Sequence, residues 1–241
     1  MVARAAAGRP VVLNLGRWEP GGYKNSHALF DLARRVRGHG VDALFAVLEE
    51  PAKLEVPPDL ANQVLAIGFP DDAELHAITE QARAGLSLSR WEGFNLPLAE
   101  TQFAGRPAFA LDLAAHPEVS CSRAECLAPD EAALADRLAR YLAKGFADET
   151  AFARRLAAFR EDFSWRRVVE RYALALESLA ARPRAFLLLD TSNACRDGAN
   201  SGVVRVTRRL GRELQSRAET RFAIWDAPSR RYAWPREEEY A

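Results

Sequence analysis

The segment from Ser89 to Glu100, reading Ser-Arg-Trp-Glu-Gly-Phe-Asn-Leu-Pro-Leu-Ala-Glu, constrains this chain more than any other stretch. The residues before it, Ala84-Gly85-Leu86-Ser87-Leu88-Ser89, form a short apolar run that reads as a buried strand. Pro97 suits the start of a helix, where a missing N–H costs nothing. The order is therefore strand, tight loop, helix. Such a helix start leaves N–H groups without intrahelical acceptors and carries a partial positive charge, a natural seat for phosphate. Glu92 precedes the helix and Glu100 lies just inside it, so the two acids flank the anion seat instead of filling it. A carboxylate repels phosphate but accepts hydrogen bonds from sugar hydroxyls. One acid on each side of a diphosphate is the geometry needed to hold a nucleotide sugar, ribose at one end and hexose at the other. The alternative is an ordinary helix start whose acids complement its dipole.

A second element has the same form. Pro10-Val11-Val12-Leu13-Asn14-Leu15-Gly16-Arg17 is an apolar run ending in Gly16, followed by a loop rich in Gly and Pro and then Lys24-Asn25. It predicts a strand of a parallel sheet, a glycine-rich connection and a helix from about Ser26 to Arg37. In such sheets ligands bind beyond the carboxyl ends of the strands, where Arg17 and Lys24 both fall. Arg offers a planar fork and Lys a compact charge, a pairing suited to two adjacent phosphates. Taken alone, the two cations read equally as solvated loop residues. Further apolar runs at 41–48, 64–69 and 106–111, with helical stretches between them, imply one doubly wound α/β sheet of Rossmann type.

Composition restricts function by exclusion. Lys plus Arg and Asp plus Glu both number 33, a formal net charge of zero that gives no electrostatic case for a nucleic-acid partner. No apolar run approaches the roughly 20 residues that span a bilayer. The opening 1–10 lacks the apolar core of a secretory signal. Three cysteines, Cys121, Cys126 and Cys195, match no metal spacing and read as packing residues in a reducing compartment. The expected location is the cytoplasm, free or peripheral to the inner face of the membrane.

Glu92 to Glu100 resembles the E-x7-E signature of retaining GT-B glycosyltransferases, and the context EGFNLPLAE resembles family 4 of that group. The Gly16-Arg17 and Lys24-Asn25 elements are similar to the family's G-R-x(n)-K-N pattern. The resemblance implies a donor-binding half over residues 1–181. Arg17 and Lys24 would neutralise the donor diphosphate, helped by N–H groups around Gly93, Phe94, Asn95 and Leu96. Glu92 would hold hydroxyls of the transferred sugar and Glu100 those of the ribose. The base would lie near Gly68 and Phe69, although a Phe there also reads as core. Retention, no cofactor and no metal are implied, the last matched by the lack of an Asp-x-Asp motif. The family often has Gly where Asn95 stands, so a side chain there either narrows the sugar pocket or adds a hydrogen bond. Of the four histidines, His27, His39, His76 and His116, only His116 falls in a loop near the expected cleft.

Residues 182–241 form a separate segment, a linker followed by a short β-α-β order: a strand at 185–190, a polar loop, a helix around 203–210 and a strand at 221–226. It resembles the opening of the acceptor-side domain of another GT-B enzyme; a docked tail is the alternative. A GT-B enzyme works in the cleft between two such domains, so the expected partners are a nucleotide sugar, a glycan or glycoconjugate acceptor, and an acceptor-side domain or partner chain. A piece of a longer tandem enzyme of polysaccharide biosynthesis fits this organisation. The competing readings are a non-catalytic nucleotide-sugar-binding or scaffolding unit and a different GT-B enzyme, an epimerase or a phosphorylase. Lys24, Lys53 and Lys144 are the only lysines, and Lys24 fits phosphate neutralisation better than the buried Schiff base that a phosphorylase requires.

Overall fold

Strands only four residues long with no polar alternation need cover on both faces. In the computed structural model every residue of β1 (Val11–Asn14) and β2 (Leu44–Val47) is buried, and the same holds for two later strands. The structure describes residues 2–14, 16–19, 21–179, 186–196 and 202–236. The linker Arg182–Arg184, the loop positions 197–201 and the acidic tail 237–241 lie outside the described residues.

The chain divides into two compact units, Met1–Arg160 and Glu161–Ala241. In the first, β1 and β2 are joined by β3 (Val64–Ala66), β4 (Ala84–Ser87), β5 (Ala108–Leu111) and β6 (Leu127–Ala128) in one sheet of order β3-β2-β1-β4-β5-β6. All five pairings are parallel. The helices of this unit are α1 (Val2–Ala6), α2 (Ala28–Gly38), α3 (Asp72–Gln81), α4 (Leu96–Phe103), α5 (His116–Val119), α6 (Arg123–Cys126), α7 (Glu131–Lys144) and α8 (Glu149–Asp162), the last reaching the boundary. Val12, Phe45, Val47 and Phe109 face the apolar sides of α2 and α7. Their strand neighbours Val11, Leu13, Leu44 and Ala46 face α1 and α3 on the opposite side. The expected doubly wound sheet is thus observed.

Strand order reverses between β1 and β4, with β2 and β3 on one side of that pair and β5 and β6 on the other. The connections leaving β1 and β4 diverge there, because α2 belongs to one face and α4 to the other. Gly85 sets the position of α4. A Cβ at this residue would lie 2.5 Å from Thr101 Cγ2 of α4, closer than any real contact.

The second unit holds α9 (Trp165–Leu179), β7 (Leu187–Asp190), α10 (Ser192–Arg196), α11 (Gly202–Gln215), β8 (Thr220–Asp226) and β9 (Arg231–Ala233). β7 pairs parallel with β8, and β8 antiparallel with β9. The sequence places a boundary at 181 and so attaches α9 to the first unit. In the structure Val169 of α9 is fully buried against Leu210 and Leu214 of α11, with Trp165, Leu176 and Leu187 around them, so α9 groups with the carboxy-terminal unit. The apolar stripe of α9 is legible in sequence, but its choice of partner is not. Among the described residues, no helix is long and apolar enough to cross a membrane.

Gly85→Ala should destabilise the chain by about 1–3 kcal/mol through overpacking. Thr101→Ala in the same chain should recover a substantial part of that loss, read as a double-mutant cycle in denaturant unfolding.

Candidate nucleotide-sugar site

The switch point between β1 and β4 brings together two of the loops singled out in sequence. Gly16, Arg17 and Lys24 lie in the connection from β1 to α2, and Glu92 to Leu96 in the connection from β4 to α4. Gly68 and Phe69 follow β3 at the sheet edge, separated from β1 by β2. Gly68 adopts φ +69°, the left-handed turn that glycine tolerates, and its N–H bonds the Glu49 carbonyl at 2.9 Å. Phe69 is 66% exposed, which removes the core reading for it.

Lys24 and Glu92 are in direct contact, Nζ on Oε1. Their side chains are only 16% and 14% exposed, so the pair is held largely out of water. The ammonium also lies 5.0 Å from the centroid of the Tyr23 ring. Arg17 does not join them. Its guanidinium is 72% exposed and bonds Glu19 Oε2 at 2.5 Å. The two cations that the sequence assigns to one diphosphate therefore differ in kind, one fixed at a carboxylate and one projecting from the loop. Glu100 lies on the exposed side of α4.

Both loops are fastened to each other and to α7. The Arg90 N–H donates to the Tyr23 carbonyl at 2.8 Å. Glu131, at the first residue of α7, accepts from Arg90 Nη2 at 2.8 Å and from Asn25 Nδ2 at 3.0 Å. The Arg90 bond, with a smaller contribution from Asn25, holds the Glu131 carboxyl below the usual carboxylate range. Sequence reasoning gives Arg90 and Glu131 no role, since they stand 41 positions apart.

Asn95 explains how the second loop turns into α4. Its φ is +67°, a region that costs most L-residues about 1–2 kcal/mol but that Asn enters more readily than any residue except Gly. The side chain is buried, and its Oδ1 accepts from the Leu98 N–H at 3.2 Å, capping the helix. Its Nδ2 donates to Ser87 Oγ at 2.8 Å and meets His116 Nε2 at 2.9 Å. The amide thus turns into the protein, where it adds hydrogen bonds. A left-handed turn is also the physical reason a family would favour glycine at this position.

His116 is completely buried. Its Nδ1 lies 2.7 Å from the Leu111 carbonyl, which can only accept, so Nδ1 carries the proton and Nε2 accepts from Asn95. Burial pushes this imidazole below its ordinary pKa, opposed by the bond to the Leu111 carbonyl. Gln102 completes the support: fully buried in α4, it donates to the Leu98 and Val119 carbonyls, both at 2.9 Å, and accepts from the Cys121 N–H at 2.6 Å. At the other end of the strands, Arg9 lines an open depression and is tied to the carbonyls of Ala5, Ala6 and Asn62, a structural role.

The chain belongs to the family of glycosyl transferases group 1, whose model matches residues 9–144, more than half of its 241 residues. Solved structures agree in fold. An alpha,alpha-trehalose-phosphate synthase (UDP-forming) of Burkholderia vietnamiensis is 18% identical over 74% of this chain and 47% of its own, with a TM-score of 0.56. A sucrose-phosphate synthase of Thermosynechococcus elongatus is 21% identical over 75% and 49%, with a TM-score of 0.54. HepE of Anabaena, solved in complex with UDP-glucose, is 18% identical over 73% and 51%, with a TM-score of 0.56. The chain spans about half the length of these proteins. No curated protein sequence matches it at a significant level.

Two outcomes test the support beneath α4. Asn95→Gly, which keeps the turn and loses the cap bonds, should cost about 1 kcal/mol, and Asn95→Ala about 2–3 kcal/mol because the turn is also strained. Both are read by denaturant unfolding. For His116 the folded pKa lies below the unfolded one, so the unfolded chain binds more protons as pH falls. Its contribution is complete above about pH 6.5 and is lost as pH drops toward the depressed value. The fall in unfolding midpoint between pH 7 and pH 5 should therefore be shallower in His116→Gln than in the parent chain.

Proposed function

We propose that the first unit binds a nucleotide-diphosphate sugar and takes part in transferring that sugar to a glycan or glycoconjugate, with retention and without a metal. The observation that carries this reading is the Lys24–Glu92 pair, a cation and a carboxylate from the two loops that diverge at the switch point. Membership of the glycosyl transferases group 1 family supports it, as does the likeness in fold to enzymes named for UDP-forming chemistry or solved with UDP-glucose.

The division of labour follows from charge. As the bond between the anomeric carbon and the diphosphate oxygen breaks, negative charge builds on the departing phosphate. The Lys24 ammonium, the Arg17 guanidinium and the N–H groups at the start of α4 face that charge, and prearranged donors of this kind are usually the largest catalytic contribution. Glu92 accepts from hydroxyls of the transferred sugar, and Glu100 from those of the ribose. Donor binding divides the ion pair, turning the ammonium toward phosphate and the carboxylate toward hydroxyls. The acceptor oxygen then takes the place of the diphosphate oxygen on the anomeric carbon, and the acceptor proton leaves with the diphosphate. The base lies toward Gly68 and Phe69. A separate unit completes the acceptor side of the cleft, in keeping with the matched structures' twofold greater length.

Calorimetric titration with UDP, GDP and ADP decides the matter. One of the three should bind, unaffected by a chelator, and Lys24→Ala, Arg17→Ala and Glu100→Ala should each weaken it, Lys24→Ala by about tenfold or more. If none of the three nucleotides binds, the claim that this chain is a competent donor unit fails.

A further inference from the structure

The rim of the Lys24–Glu92 pair carries two large rings left in water. Tyr23 is 45% exposed and Trp91 66% exposed. Single exposed aromatics are ordinary, but these two belong to different loops and meet edge to face, with centroids 6.2 Å apart and planes at 87°. Each immediately precedes one member of the ion pair, Tyr23 before Lys24 and Trp91 before Glu92. Their exposure is not that of loose loops, because the segments bearing them are joined by the Arg90 N–H bond to the Tyr23 carbonyl and anchored to Glu131 through Arg90 and Asn25. A rigid pair of rings beside a carboxylate and an ammonium suits a ligand with an apolar face and a hydroxylated edge. A pyranose has that form: C–H groups on one face that pack on an aromatic ring, and hydroxyls around the periphery.

We propose that Tyr23 and Trp91 form a platform for a pyranose ring at this site, and that Trp91 is a specificity-determining residue for the sugar. The inference rests on the reading of Lys24 and Glu92 as a nucleotide-sugar site. The ring that lands on the platform comes either from the donor hexose or from an acceptor saccharide. Trp91 serves the test better than Tyr23, whose ring also lies against the Lys24 ammonium.

The experiment is calorimetric titration of the whole chain and of its Trp91→Ala and Trp91→Phe variants, with circular dichroism checking the fold of each. Three probes are used: UDP, UDP-glucose, and a panel of maltose, cellobiose and methyl mannoside, each saccharide added with and without UDP. The expected result is that Trp91→Ala keeps UDP affinity within about twofold while losing about tenfold for one pyranose source, and that Trp91→Phe restores it. A loss on UDP-glucose assigns the platform to the donor, and a loss on a free saccharide assigns it to the acceptor. The proposal is overturned if Trp91→Ala weakens UDP as much as UDP-glucose, if it changes neither pyranose source, or if no pyranose probe binds the parent chain. Failure of the parent chain to bind UDP, with saccharide binding that Trp91→Ala abolishes, sinks the donor reading for UDP and leaves the platform standing.

Discussion

The left-handed residue at the start of α4 is the constraint on which the site depends. Asn95 reverses the chain between β4 and α4, and its amide simultaneously satisfies a helix N–H, a strand hydroxyl and a buried imidazole. Each of those partners is itself fixed: Ser87 by β4, and His116 by the Leu111 carbonyl at the end of β5. A buried amide with unmet donors would be costly, so the network is stable only when all of its members are in place. Its consequence is positional. The backbone leading into α4, with Glu92 three residues earlier, is held at one distance from the end of β4.

Around that fixed turn the structure places its charges with unequal freedom. Lys24 and Glu92 are mostly buried and matched to one another, whereas Arg17 projects from the same loop with a local partner. A buried pair is not a strong source of stability, because desolvation offsets much of the attraction. What it supplies is definition: the pair holds the ammonium, the carboxylate and the two loops that carry them in one arrangement. The Glu131 carboxylate, taking bonds from Arg90 and Asn25, plays the corresponding part at the rim and keeps the aromatic residues of two loops in register.

Much of the architecture was legible in the amino-acid order because the relevant signals are local. Short apolar runs announced the strands of a parallel sheet, and Pro97 marked the start of α4. The loops carrying Arg17, Lys24 and Glu92 were readable for the same reason, since residue type and spacing lie within a single connection. The unit boundary was not. The apolar stripe of α9 is compatible with any apolar neighbour, and only packing against Leu210 and Leu214 groups it with the carboxy-terminal unit. His116 shows the other limit: a histidine in a loop after a strand looks available to a ligand, yet its two nitrogens are consumed by groups 5 and 21 positions away.

By itself the sequence determined the fold class, the strand-loop-helix units and which short segments carry charge. Those properties depend on periodicity, on proline and glycine, and on residue type within a few positions. Only the tertiary structure decided that Lys24 meets Glu92 while Arg17 does not, that Asn95 turns inward to cap α4, and that Tyr23 and Trp91 face each other. These contacts join residues separated by as many as 68 positions, and they exist because the parallel sheet sets β1 beside β4 and so brings two distant loops to one edge.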